Sequence, residues 1–123
     1  MLAGLYEGAL ADAQLREQKL SLVKLEQLAT SSRTPLSASE ALQRSGRVKV
    51  LAEIKRASPS RGILNAEMQV GNQASKYESA GASAISVLTE QRGFQGSLED
   101  LIEARENVAI PILRKDFIST EYQ

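Results

Sequence analysis

Two short stretches and one aromatic residue hold side chains able to move protons or meet a charged ligand. Glu53 and Lys55 stand two residues apart and are followed by Ala57-Ser58-Pro59-Ser60-Arg61-Gly62. On an extended backbone that spacing puts both groups on one face, at the strand end where α/β proteins bind ligands. A carboxylate beside an ammonium can hold it or exchange a proton with it, and Ser58 and Ser60 can donate to a phosphate. The competing readings are an incidental ion pair on a solvated face and ordinary Ser-Pro-Ser turn chemistry. Further on, Leu113-Arg114-Lys115-Asp116-Phe117 carries three consecutive charges. If Lys115 shares an inward face with Leu113 and Pro111, partial burial would make it a usable acid; a salt-bridged strand end is the alternative. Phe94, between glycines at 93 and 96, can wall an aromatic pocket or cap a local apolar cluster.

Composition narrows the chemistry to these groups. The chain has no Cys and no His, which removes disulfides, the usual zinc sets, thiol nucleophiles and imidazole catalysis. Fifteen Lys plus Arg balance fifteen Asp plus Glu, so no excess of positive charge is available to track nucleic acid. At 42% hydrophobic and 24% charged, the chain is expected to be an ordinary globular protein. No apolar run is long enough for a membrane anchor, and the first ten residues do not read as a signal peptide, so a cytoplasmic location is expected.

The elements that must position these residues follow from periodicity. Leu2, Leu5, Tyr6, Ala9, Leu10 and Ala13, continued by Leu22, Leu25 and Leu28, predict an amphipathic helix over 2–28 or a pair of them. Ser37 with Glu40 fits a capping box opening a short helix that ends near Gly46. From Arg47 the period changes: Val48, Val50, Ala52 and Ile54 alternate with Lys49, Leu51, Glu53 and Lys55, the pattern of a strand. A helix over 67–79, weakened by about 1 kcal/mol at Gly71, should stop at Gly81. A strand over 84–90, a helix capped by Ser97, a strand over 110–117 and the opening of a helix at 120–123 complete the reading. Such alternation predicts an α/β fold of about three βα units with a parallel sheet, behind a helical extension over 1–46, with no linker that separates independent domains.

The runs LAEIKRASPSRG, AISVLTE, GFQGSLEDL and LRKDFI, in this order and spacing, resemble the first three βα units of the indole-3-glycerol-phosphate synthase family. The resemblance covers about 47–123, and the helices before it look like that family's N-terminal extension. It implies a (β/α)8 barrel, without metal or organic cofactor, that converts 1-(2-carboxyphenylamino)-1-deoxyribulose 5-phosphate to indole glycerol phosphate. By match to the family's motifs, Lys115 is the general acid and Lys55 the lysine near the substrate carboxylate. Glu53 holds the lysines, Ser58 lies where the first loop covers substrate, and Phe94 and Phe117 line the anthranilate pocket. One departure is Gln69-Val70, followed by Gly71, where the family has Asp-Pro at the start of the helix. The other is length, since such barrels need roughly 250 residues. The expectation is therefore a partial barrel, kept, rearranged or domain-swapped, that is inactive alone and self-associates as a homo-oligomer. The alternatives are a non-enzymatic remnant and a half-enzyme completed by a second chain.

Overall fold

The computed structural model describes residues 2–123. By contact the chain divides into two compact units, one made of residues up to Thr34 together with Asp116–Gln123, the other of Pro35–Lys115. The first contains α1 (Leu2–Lys19) and α2 (Leu22–Ser31). Two helices rather than one form because Ser21 is extended and its hydroxyl accepts the Lys24 N–H, capping the second. Ala9 and Ala13 of the expected apolar stripe are buried, whereas Tyr6 is exposed. In the C-terminal segment the expected start of a helix is instead a tight turn. Gln123 Oε1 accepts N–H groups of Ser119 and Thr120, and Gln123 Nε2 donates to the Phe117 carbonyl.

The second unit holds the sheet. After the single-turn α3 (Ala38–Ala41), capped by Ser37 as expected but ending well before Gly46, come β1 (Leu51–Ile54), β2 (Ala57–Ser58) and β3 (Gly62–Ile63). Then follow α4 (Val70–Ser79), β4 (Ala84–Leu88), α5 (Leu98–Asn107) and β5 (Ile112–Lys115). β1, β4 and β5 form a parallel sheet in that order, with Leu51 opposite Ala84 and Leu88 opposite Lys115. Consecutive strands therefore lie side by side, each joined to the next through a helix. That is the arrangement of successive units in a (β/α)8 barrel.

The strands are shorter than the alternation suggested, for a physical reason. Among the described residues β1 has only β4 to pair with, and β4 begins at Ala84, after the turn that closes α4. Ser83 N–H already bonds the Val50 carbonyl, so Val48 and Lys49 have no ladder to join. Val48 is 87% exposed. β5 likewise ends at Lys115, opposite the last residue of β4, so Phe117 lies beyond the strand that was expected to carry it.

One face of the sheet builds the core. Ile54, Ile85 and Val87 meet Val70 and Ala74 of α4, Ala104 of α5, and Val108, with Tyr77, Leu101 and Ile112 packed around them. Complete burial of Ile85 and Val87 is worth about 1.5 to 3 kcal/mol each. α4 starts at Val70 instead of Glu67, and Gln69 gives it no side-chain cap. Glu103 of α5 supplies one: its Oε1 accepts the Gly71 N–H at 2.8 Å. A Cβ at 71 would run into the Asn107 side chain, so glycine lets the two helices approach closely.

Candidate active site

The opposite face of the sheet presents Glu53 and Lys115. The intervening β4 separates their strands, so the two backbones are roughly 10 Å apart and only long side chains can meet. They do. Lys115 Nζ donates to Glu53 Oε2 at 2.6 Å, and Lys55 Nζ lies 3.0 Å from Oε1 of the same carboxylate. One carboxylate thus gathers two ammonium groups, leaving one net positive charge.

The cluster is open to solvent. The Glu53 and Lys55 side chains are each 32% exposed and that of Lys115 is 53% exposed. The burial expected for Lys115 is not found, although Leu113 does share its exposed side of β5. Partial burial works against the charged Glu53 carboxylate, but hydrogen bonds from Lys115 and Lys55, helped by their charges, outweigh it and hold the group below its ordinary value.

Arg56, the next residue, anchors the loop that follows β1. Its guanidinium makes a two-pronged bond to Asp100, Nε to Oδ2 at 3.0 Å and Nη2 to Oδ1 at 2.8 Å, and Nη1 reaches the Ala66 carbonyl. The hydrogen bonds to the Asp100 carboxylate, helped by its charge, outweigh burial and raise the Arg56 pKa above its usual value. The Arg56 carbonyl accepts from Leu64 and Asn65 N–H, so this residue closes a loop whose middle is the antiparallel β2–β3 hairpin. Ser58 sits in that hairpin, 7% exposed, with Oγ accepting the Arg61 N–H. Its own proton remains to donate. Ser60 is exposed on the turn.

Phe94 lies in the loop after β4, half-buried, and its carbonyl accepts the Ala57 N–H at 3.1 Å. The loops that follow β1 and β4 are therefore joined two residues beyond Lys55. Phe117 belongs to the other compact unit, half-buried, with its N–H on Asp116 Oδ1. Of the residues expected to form a site, Glu53, Lys55 and Lys115 come together directly, and Ser58 and Phe94 sit on the loops that frame the first two.

Two residues of consequence were not singled out from the sequence. Arg56 is hidden by the charged run around it, and its partner Asp100 lies forty-four residues away. Glu90 left a readable trace, a carboxylate ending the apolar run AISVLT just before a Gly-flanked loop. Among the described residues no cluster of acidic, His or Cys groups could hold a metal, and no helix is long and apolar enough to cross a membrane.

Comparison with known proteins identifies the family. Residues 2–123 match the family described as indole-3-glycerol phosphate synthase. All 123 residues align at 50% identity with the indole-3-glycerol phosphate synthase of Leifsonia xyli subsp. xyli, covering 47% of that protein. They align at 50% with that of Mycolicibacterium gilvum, covering 45%, and at 44% with that of Mycobacterium bovis, again covering 45%. The chain thus spans a little under half the length of these relatives. A match along nearly the whole chain, together with a parallel sheet that gathers Glu53, Lys55 and Lys115, establishes that it belongs to the indole-3-glycerol phosphate synthase family.

Proposed function

We propose that this chain supplies the aromatic-carboxylate end of an indole-3-glycerol phosphate synthase site. The observation that carries the reading is the single carboxylate of Glu53 holding Lys55 and Lys115 from two non-adjacent strands. In the reaction the ring carbon bearing the carboxylate forms a bond to the ketone carbon of 1-(2-carboxyphenylamino)-1-deoxyribulose 5-phosphate. The ketone oxygen gains charge and takes a proton; carbon dioxide then leaves, and water follows. Lys115 is the donor to that oxygen, since an ammonium favours developing negative charge. Lys55 pairs with the substrate carboxylate until it departs. Glu53 keeps the two cations from repelling each other, and Phe94 lines the anthranilate ring. Phe117 is assigned the same lining role by its place in LRKDFI alone.

Anthranilate, the aromatic carboxylate of the substrate, is the direct probe. Fluorescence titration of the chain with anthranilate should show weak saturable binding that the Lys55→Ala, Lys115→Ala double variant loses. Identical curves would defeat the reading. These 123 residues alone should show no formation of indole glycerol phosphate, because barrels of this type hold substrate phosphate on the loops after strands 7 and 8. Turnover of about 1 per second or more would contradict that.

A second reading, self-association, has its own observation. β1 and β5 are paired on one side only, and Val50, Leu51 and Leu113 are 49%, 43% and 49% exposed. Unpaired strand edges beside exposed apolar side chains favour pairing with another chain.

A further inference from the structure

Among the described residues Glu90 is the largest fully buried polar side chain, at 2% exposure, and the chemistry proposed above does not use it. It follows the last residues of β4 and faces its own loop. Oε1 accepts the Arg92 N–H at 2.9 Å; Oε2 accepts those of Gly93 at 2.7 Å and Phe94 at 3.0 Å. The Glu90 backbone carbonyl accepts the Gly96 N–H at 2.9 Å. Four backbone N–H groups of the loop, those of Arg92, Gly93, Phe94 and Gly96, are thus tied to one residue.

That loop would not hold its shape unaided. Gln95 has φ 55°, in the left-handed region that residues other than glycine rarely adopt. Gly96 passes so close to the Leu88 carbonyl that a Cβ there would overlap it. Three N–H groups on a buried carboxylate are the strong contacts available to impose such a conformation. What the loop carries is Phe94, whose carbonyl in turn holds Ala57, two residues after Lys55.

We propose that Glu90 is a positioning residue for ligand recognition: its carboxylate clamps the backbone at 92–94 and so fixes Phe94 where an aromatic carboxylate meets the lysine pair. This deepens, and rests on, the aromatic-carboxylate reading above. Glu90 touches no reacting atom. It acts through Phe94 and sets affinity for the ring, not for anions in general.

The test compares the full chain with Glu90→Gln, which keeps the shape, leaves one acceptor for Arg92 and turns an NH2 group toward Gly93 and Phe94. Amide hydrogen exchange followed by NMR should show Gly93 and Phe94 at least about tenfold faster in the variant, with Ile85 and Val87 unchanged as evidence of an intact sheet. Anthranilate affinity should fall by about tenfold, while the response to inorganic phosphate at the lysine pair stays the same. Glu90→Asp should recover part of both losses. Unchanged exchange at Gly93 and Phe94, or faster exchange with unchanged anthranilate affinity, overturns the proposal. If the variant does not fold, the wild-type chain still decides: Gly93 and Phe94 amides exchanging at unstructured rates overturn it, and strong protection supports it. Failure of the wild-type chain to bind anthranilate overturns the site reading itself, and this role with it.

Discussion

At the scale of single residues, Glu53 is the group whose protonation reorganises the site. Its folded-state pKa lies below its unfolded one, so its contribution to stability is complete above the unfolded value and fades as pH falls through the lowered folded value. Protonated, it would leave Lys55 and Lys115 facing each other without a shared anion. The expected outcome is a stability difference between the native chain and Glu53→Gln that is constant from pH 6 to 8 and shrinks below about pH 4. Urea unfolding at a series of pH values measures it. A difference that grows on acidification would show that the carboxylate is not stabilised by its two partners. The effect should also weaken in high salt, since all three side chains reach solvent.

At the scale of elements, α4 and α5 depend on one another through Gly71. Helix propensity alone says that alanine there would stabilise by about 1 kcal/mol. The structure predicts the opposite: Gly71→Ala pushes on Asn107, whose Nδ2 donates to the Glu103 carbonyl, and disturbs the Glu103 cap on Gly71. A loss of about 1 to 2 kcal/mol in urea unfolding is expected; a gain would show that the contact yields freely. The same position shows what a sequence displays and what it hides. Period-2 alternation at Ala52 to Ile54 and the apolar run at Ala84 to Leu88 placed two strands, and Ser97 and Ser37 marked helix starts, because these signals are local. Glu103 capping α4, Arg56 bonding Asp100 and Glu90 folding its own loop depend on residues distant in sequence or on backbone geometry. No spacing rule exposes them. The hairpin within 57–63 was visible only as a turn. Glu53, Lys55 and Lys115 were nameable because their motifs resemble a family's, but their meeting on one carboxylate depends on strand order and register.

For the whole molecule, the paired sides of β1 and β5 leave an outer edge each, and a three-stranded parallel sheet exposes more backbone per residue than a closed barrel. Sedimentation equilibrium at micromolar concentration should therefore find species heavier than the 13.3 kDa chain. A single folded species at that mass would remove the self-association reading. A different consequence follows from how the chain is divided into units. Residues up to Thr34 cluster with Asp116–Gln123, so that unit is assembled from two segments separated by the sheet unit, and everything between is one loop that its formation closes. The equilibrium cost of such a closure is small, each doubling of loop length adding only about 0.6 kcal/mol. Its kinetic meaning is larger. A nascent chain emerging from the ribosome would have α1 and α2 before the sheet unit and residues 116–123 only after it, so this unit must wait until residues 116–123 are free. The sheet unit, contiguous in sequence, is complete before that. Pulsed hydrogen exchange on stalled nascent chains should find β4 amides protected before those of α1, and the reverse order would show that the N-terminal helices hold together without the C-terminal segment.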